Sequence, residues 1–370
     1  MKNILFLTNK LLIGGAEMVM LSQANSLDAE KYKVFFGLLY NTNQENTLYH
    51  KLKTKRIFHF GFSRLFDIKG FFKFYRFLKK NKIEIIVSAL FEANLVARIL
   101  GRLVGVKIII SSEQSCYYNK SWWQKKVDLL LSYVTDVIIG VSEEVVKFTS
   151  QQENIPFKKF RVLDQISDLD INNLFSKEYL LKKFNLKESC FVCMNIGRFS
   201  PEKDQNRIIE IANEIVNKKN IKDMYFFIVG YGDLEKNLID SIKKYKLEKN
   251  VKIVVDPKNA KEYLVLADLF LLTSDREGMP IVILEAMNSN LPCISSNVGG
   301  VKDIVKDGVN GYLVDNREVE DFVDRIIYLF NNKKIVSKMK LEAKKIVDNK
   351  KGRIDQLELI IDEQINKKYL

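Results

Sequence analysis

Two successive series of apolar, β-rich runs, with helical spacing between the runs, constrain this chain more than any other feature. Residues 4–7, 34–39, 83–89, 107–111 and 137–141 read as strands of a first half. Residues 191–196, 224–229, 251–255, 269–272 and 293–295 read as strands of a second. Stretches between them, such as 16–27, 206–218 and 234–245, carry apolar residues at i, i+3 and i+4. Near-continuous Val/Ile/Leu strands separated by helices belong to parallel sheets covered on both faces. The series restarts after the polar stretch 164–188, which predicts an α/β protein of two doubly wound halves. The expected division is 1–170, 171–350 and a C-terminal segment 351–370. In such folds ligands bind beyond the carboxyl ends of the strands, and a cleft between two facing halves is the expected site.

Composition narrows the class. With 47% hydrophobic and 28% charged residues the chain reads as soluble and globular with ample core. No apolar run approaches the roughly 20 uncharged residues that span a bilayer. The start is Met1-Lys2-Asn3-Ile4-Leu5-Phe6-Leu7-Thr8-Asn9-Lys10; its apolar part is short and Lys10 interrupts it. It reads as a buried first strand rather than a signal peptide, so the expected location is the cytoplasm. Cys190 and Cys193 form a CxxC inside an apolar run, and an offset of three on a strand points the thiols to opposite faces. Two strand cysteines fit better than zinc or redox chemistry. The net charge of +13 is uneven: residues 1–170 hold 25 Lys+Arg against 16 Asp+Glu. The attraction for an anionic partner therefore lies in the first half.

The segment Glu277-Gly278-Met279-Pro280-Ile281-Val282-Ile283-Leu284-Glu285 has the order of a strand-to-helix turn. Gly278 permits a close bend and Pro280 suits the first helical position. Amides near Met279, Ile281 and Val282 would then sit at the positive end of a helix dipole, where a phosphate binds. Carboxylates at Glu277 and Glu285 are acceptors for vicinal sugar hydroxyls. On spacing alone, the same segment also fits an ordinary capped helix with two surface glutamates.

Three further loops carry glycine or basic residues. Gly14-Gly15-Ala16-Glu17 follows the first strand and opens a helix; it fits a phosphate or sugar approach and equally a plain turn. Gly230-Tyr231-Gly232 lacks the third glycine of a dinucleotide fingerprint, and no GxxxxGK[ST] loop occurs anywhere. In Gly197-Arg198-Phe199-Ser200-Pro201-Glu202-Lys203, a guanidinium and an ammonium leave one loop and can neutralise a diphosphate from two sides. A solvated Arg and Lys beside a helix cap is the plainer alternative.

Taken in order, these motifs resemble the retaining glycosyltransferases of family 4, with the GT-B fold of two Rossmann-like domains facing across a cleft. Gly299-Gly300-Val301 and Asp307-Gly308-Val309-Asn310-Gly311-Tyr312-Leu313-Val314 extend the resemblance over essentially the whole chain. It implies sugar transfer from a nucleotide-diphosphate donor, a UDP-sugar in the first instance. By that resemblance Arg198 and Lys203 are the diphosphate contacts, Glu277 holds donor-sugar hydroxyls and Glu285 the ribose diol. The backbone of 278–282 takes the phosphates, while Gly14 and Gly15 approach the donor from the N-terminal domain. The last helix, with Leu357, Ile360, Ile361 and Ile365 on one face, would pack back on that domain.

The chain also departs from the family pattern. Where many relatives carry a His after a first-domain strand, Ser112-Glu113-Gln114-Ser115 stands here, and the only histidines are His50 and His59. A protein-borne imidazole base is therefore not expected, which fits a front-face mechanism in which the leaving diphosphate takes the acceptor proton. Glu113 and Gln114 are candidate acceptor or sugar contacts. Asp168-Leu169-Asp170 is formally a DxD, but it lies in the junction rather than at a strand end, so no metal and no cofactor is expected. Asp256-Pro257-Lys258-Asn259 replaces a commoner glycine in the loop that holds the base.

Basic and aromatic residues interleave over 71–80 and again over 117–126. Lys79, Lys80, Trp122, Trp123, Lys125 and Lys126 are candidate contacts to an anionic membrane, where a glycan or lipid-diphosphate-linked acceptor would reside. A buried aromatic stripe with solvated lysines fits the same pattern. No nucleic-acid-binding motif accompanies the charge. A nucleotide-sugar epimerase on the same fold and a non-catalytic basic binding protein are the alternatives of different class.

Overall fold

The computed structural model describes residues 1–41, 47–163, 174–351 and 356–369. The chain divides into two compact units, Met1–Ser167 with Arg353–Leu370, and Asp168–Gly352. The expected boundary at 170, with Asp168 and Asp170, lies outside the described residues.

The first unit is a seven-stranded sheet of order β3-β2-β1-β4-β5-β6-β7. Its strands are β1 (Lys2–Thr8), β2 (Tyr32–Leu38), β3 (Ile57–His59), β4 (Ile85–Ala89), β5 (Ile108–Glu113), β6 (Val137–Gly140) and β7 (Phe160–Val162). All pairings are parallel, and Ile4 of β1 is in register with Val34 and Ile85 on either side. The connecting helices are α1 (Gly15–Ser26), α2 (Ile68–Lys80), α3 (Phe91–Val104), α4 (Trp122–Ser132) and α5 (Glu143–Glu153). Alternation along β1 sends Ile4 and Phe6 to one face, against Met20, Leu21 and Ala24 of α1. Leu5 and Leu7 go to the other, against Phe74 and Leu78 of α2 and Val96 and Leu100 of α3.

The second unit repeats the plan as a six-stranded sheet of order β10-β9-β8-β11-β12-β13. These strands are β8 (Phe191–Arg198), β9 (Met224–Tyr231), β10 (Val251–Val254), β11 (Leu269–Leu272), β12 (Cys293–Ser296) and β13 (Gly311–Val314). Its helices are α6 (Lys177–Lys183), α7 (Gln205–Asn213), α8 (Glu235–Lys244), α9 (Ile281–Asn288), α10 (Val301–Ile304), α11 (Val319–Asn331) and α12 (Lys333–Lys351). The helix expected over 206–218 is α7 followed by a π-helical stretch, Glu214–Lys218. Both sheets reverse strand order next to their first strand, at β1/β4 and at β8/β11, the points where doubly wound sheets bind ligands.

The last helix, α13 (Gln356–Tyr369), belongs to the first unit. Leu357, Ile360 and Ile361 enter the core beneath β1 and β4. Glu358 accepts from the Asp28 amide at 2.7 Å, and Arg161 Nη2 reaches Glu363 Oε1 at 2.8 Å. Each buried aliphatic side chain here is worth on the order of 1.5–3 kcal/mol. The apolar contacts therefore hold α13, and the exposed ion pair adds little.

Candidate active site

In the second unit the carboxyl ends of β8 and β11, the neighbours at the strand reversal, carry the residues singled out by the sequence. β8 runs through Gly197 to Arg198, and a 3-10 turn, Pro201–Lys203, follows. That turn is fastened to the end of β11. The Asp275 amide donates to the Glu202 carbonyl at 2.8 Å, and Thr273 Oγ1 donates to the Asp204 carbonyl at 2.9 Å. Gln205 Nε2 closes the base of the loop on the Arg198 carbonyl at 2.8 Å.

So held, Lys203 places Nζ 2.6 Å from Glu277 Oε1, and Ser274 Oγ donates to the same oxygen at 2.7 Å. Glu277 is buried, with 7% exposure, and a carboxylate there requires such partners. Lys203 retains a partly exposed side chain. Arg198 is exposed, its guanidinium 6.0 Å from the centre of the Tyr231 ring. Lys203 and Glu277 are thus brought together, while Arg198 stands at the rim of the same strand ends.

Helix α9 begins one residue later than expected. Pro280 is its N-cap, at φ −75° and ψ 91°, and Ile281 is the first helical residue. The extended ψ keeps Pro280 outside the helix, although its ring still suits the turn. The amides of Ile281 and Val282 lie in the first turn, before any carbonyl of the helix can receive them, at the positive end of its dipole. Met279 and Val282 are half-buried, and so is Glu285, one turn into the helix.

A second loop supports this turn from behind. Gly299 has φ +52°, and a Cβ there would lie 1.7 Å from the Glu277 carbonyl oxygen. The Gly300 amide donates to the Gly278 carbonyl at 3.0 Å. Gly230 plays a matching part behind β8: it pairs with Gly197, and its Cβ would fall 1.9 Å from the Gly197 carbonyl oxygen. These glycines bring backbone against backbone, so the two-glycine Gly230-Tyr231-Gly232 run serves packing at β8. In the loop after β10, Tyr263 donates its hydroxyl to Asp256 Oδ2 at 3.1 Å.

In the first unit Gly14 is the N-cap of α1 and Gly15 its first residue, with open space where a Gly15 Cβ would stand. Glu113 ends β5 but turns inward. Its carboxylate lies 3.4 Å from Lys120 Nζ and accepts from Asn94 Nδ2 at 3.4 Å, which places it in the interior rather than toward a sugar. Gln114 is buried and donates from Nε2 to Ser112 Oγ at 2.6 Å.

Around Lys120 gathers a buried group of charges that the sequence did not announce. Lys120 also meets Asp128 Oδ2 at 2.9 Å and Glu153, and Arg98 Nη1 meets Asp128 Oδ1 at 2.8 Å. Burial alone would push the Lys120 ammonium down; the three carboxylates outweigh it and hold it well above the ordinary lysine value. Burial raises Glu113, and burial together with the Glu113 charge pushes Glu153 up to about 8. These residues lie far apart in sequence, and Lys120 reads there as one more member of a basic-aromatic run.

The six candidate membrane contacts fall into two groups. Helices α2, α3 and α4 pack side by side on one face of the first sheet. Each returns antiparallel to its strand, so Lys79 and Lys80 close α2 at the end away from the strand carboxyl termini. Trp122 and Trp123, 72% and 41% exposed, open α4 at the opposite end, with Lys125 and Lys126 in the next turn. Lys126 Nζ lies 5.2 Å from the Trp122 ring centre. Exposed Ile68 and Phe72 of α2 belong to that second end, and Arg76 stacks on Phe72 at 4.4 Å. Among the described residues no helix is long and apolar enough to cross a membrane.

Comparison with known proteins gives the family and the fold. The family described as "Glycosyl transferases group 1" matches residues 176–346. The Escherichia coli O-antigen biosynthesis glycosyltransferase WbnH is 30% identical over 324 residues, covering 86% of this chain and 87% of that protein. The Escherichia coli UDP-Gal:alpha-D-GlcNAc-diphosphoundecaprenol alpha-1,3-galactosyltransferase is 28% identical over 317 residues, covering 81% of each. Among solved structures, Anabaena HepE in complex with UDP-glucose superposes with a TM-score of 0.84 at 18% identity, covering 98% of this chain and 100% of that one. At that identity the likeness speaks for the fold, and the fold is GT-B.

Proposed function

This chain belongs to the group 1 glycosyl transferases, and we propose that it moves a sugar from a UDP-sugar, with retention of configuration, to a glycan carried on a lipid diphosphate. The pathway would be O-antigen or another surface polysaccharide. The observation that carries the reading is the Lys203–Glu277 contact at the β8/β11 reversal, with Arg198 beside it. The relatives WbnH and the diphosphoundecaprenol galactosyltransferase support the pathway and the acceptor class by their names.

The donor binds to the second unit. Its diphosphate takes the charges of Arg198 and Lys203 and the first amides of α9 near Met279, Ile281 and Val282. Glu277 accepts hydroxyls of the donor sugar, and Glu285 accepts the ribose diol. The acceptor hydroxyl attacks the anomeric carbon on the face from which the diphosphate leaves. Its proton passes to the departing diphosphate oxygen. Arg198, Lys203 and the helix amides stabilise the charge developing there, so the residues themselves meet the electrostatic demand and no metal or cofactor is required. The first unit takes the acceptor, with Gln114 as a hydroxyl contact. Docking on the inner face of an anionic membrane uses the α4 end that carries Trp122, Trp123, Lys125 and Lys126.

The test is a panel of UDP- and GDP-sugars offered with a synthetic lipid-diphosphate glycan, in buffer with and without EDTA, and product analysis by NMR of the anomeric proton. An α-linked product from a UDP-α-sugar, insensitive to EDTA, is expected. A β-linked product would overturn retention. Conversion of donor to its epimer without acceptor would point instead to an epimerase.

A further inference from the structure

The charges gathered around Lys120 lie outside the donor site and have no part in the chemistry above. Five ionisable side chains from three helices, a strand end and a loop meet in the interior of the first unit: Arg98, Glu113, Lys120, Asp128 and Glu153. None exposes more than 7% of its side chain. Removing such groups from water is costly, and a fold seeking stability alone does better with apolar residues of the same volume. Lys120 closes the loop between β5 and α4, whose first residue is Gln114.

The loop is pinned at each stage of its course. Asn94 and Lys120 hold Glu113 at its start, and Gln152 Nε2 of α5 donates to the Tyr117 carbonyl at 3.1 Å in the middle. Tyr118 packs on Phe148 of α5 with ring centres 4.4 Å apart. A capping box between Ser121 and Gln124 ends it. At the carboxyl ends of the strands a loop of this length would ordinarily move. Here Lys120, next to the end of the loop, reaches back into the interior, and its ammonium joins β5, α4 and α5.

We propose that Lys120 is a positioning residue for acceptor binding: its buried ammonium, clasped by Glu113, Asp128 and Glu153, fixes the loop that carries Gln114, and one proton shared among the carboxylates keeps the clasp closed. The acceptor part of this inference rests on the assignment of the first unit to the acceptor. Three carboxylates against Arg98 and Lys120 leave one uncompensated negative charge when all are ionised. An extra proton on Glu113 or Glu153 removes it, and the burial that raises both carboxyls favours that state at neutral pH. The other group facing the cluster is the Tyr117 hydroxyl, which burial pushes up and which stays protonated; Glu17 of α1 acts on it from outside. Loss of the shared proton above about pH 8 therefore strands a negative charge and loosens the loop.

The experiment compares full-length wild type, Lys120→Met and Glu153→Gln from pH 6.5 to 9. Hydrogen exchange of residues 114–121, corrected for intrinsic rate, reads the clasp independently of activity. Acceptor KM, donor KM and UDP affinity read its use. In wild type, exchange and acceptor KM are expected to rise together through about pH 8, roughly tenfold for KM, with UDP affinity unchanged. Glu153→Gln keeps the hydrogen bond without the charge and should abolish the rise. Lys120→Met should show high exchange and high acceptor KM at every pH. Should it fail to fold, Glu153→Gln alone decides. Unaltered pH dependence of exchange in Glu153→Gln overturns the shared proton, and protected exchange with normal acceptor KM in Lys120→Met overturns the positioning role. If the clasp behaves as expected but wild type transfers no sugar from any donor, the glycosyl-transfer reading fails and the acceptor role fails with it.

Discussion

Lys203 Nζ lies 2.6 Å from Glu277 Oε1, although 74 residues separate them. The pair joins the two strand ends at the reversal of the second sheet. It places an ammonium beside a carboxylate, which in the mechanism proposed above meet the diphosphate and the donor sugar. Because Ser274 donates to the same oxygen, both protein partners converge on Oε1. The Lys203 charge holds Glu277, and in the mechanism proposed above it also neutralises the leaving group.

Removing Lys203 should consequently cost more than removing a simple diphosphate contact. Lys203→Ala is expected to lower kcat/KM on the order of 10²-fold or more. Arg198→Ala, at the exposed rim, should lose transition-state stabilisation without disturbing Glu277. A double variant, Lys203→Ala with Glu277→Ala, should fall short of the product of the single losses, since the two side chains are in contact. Strict additivity in that cycle would show that the contact has no role in transfer.

Two glycines offer opposite outcomes for the same substitution. A Cβ on Gly299 would collide with the Glu277 carbonyl oxygen, and φ +52° adds strain, so Gly299→Ala should lower both Tm and activity. Gly15→Ala meets open space and should leave Tm within a degree or two. If Gly15 is approached by substrate, its variant loses activity at unchanged Tm. Full activity in Gly15→Ala would remove that residue from the site.

Much of this was legible beforehand, for identifiable reasons. The long buried strands announce themselves because parallel strands covered on both faces are apolar throughout, and all ten expected strands occur. Among the described residues three further strands occur: β3 (Ile57–His59), β7 (Phe160–Val162) and β13 (Gly311–Val314). All stand at sheet edges, short and interrupted by polar or glycine residues, where burial does not impose an apolar run. Arg198, Lys203 and Glu277 were visible as loop residues after strands. Ser274, Thr273 and Gln205, which hold them, were not, because a hydroxyl or amide has no sequence signature apart from its partner. Gly299 was seen as part of a motif, yet its contact with the Glu277 backbone is a property of two loops packed together. The Lys120 cluster was hidden for the same reason, and Glu113, expected to face a sugar, belongs to it.

Stability should carry the mark of that cluster. Glu153 is raised from an ordinary 4.5 to about 8, so between those values the folded chain keeps a proton that the unfolded chain has released. Folding stability therefore falls as pH rises through that window and levels off above about 8. Glu153→Gln removes the titration, and its urea midpoint should decline less than that of wild type between pH 5 and pH 8.5. Equal declines would place the raised carboxyl elsewhere.

Gln114 offers a check on the proton's destination. With the departing diphosphate as base, Gln114→Ala loses only a hydroxyl contact, and its transfer rate should fall far less than that of Lys203→Ala. A loss as large as that of Lys203→Ala would make Gln114 central to the chemistry.

The split of the basic-aromatic residues into two ends makes the membrane contact testable by position. At one end, Trp122 and Trp123 stand exposed at the start of α4 beside Lys126, with Ile68 and Phe72 exposed at the start of α2. Apolar side chains of this kind enter the headgroup region while the cations meet anionic lipid, each Lys or Arg adding about 1 kcal/mol near the surface. Lys79 and Lys80 sit at the far end of the same layer and cannot share a flat bilayer contact with Trp122 while α4 docks by its first turn. Binding to vesicles of phosphatidylglycerol and phosphatidylethanolamine should thus drop steeply in Trp122→Ala with Trp123→Ala, and fall further when Lys125 and Lys126 are reversed to Glu. Reversal of Lys79 and Lys80 should have a small effect that salt screens. If the two pairs of reversals weaken binding equally, the contact is a diffuse attraction to the whole basic unit; if neither does, the acceptor must be reached without membrane docking through this layer.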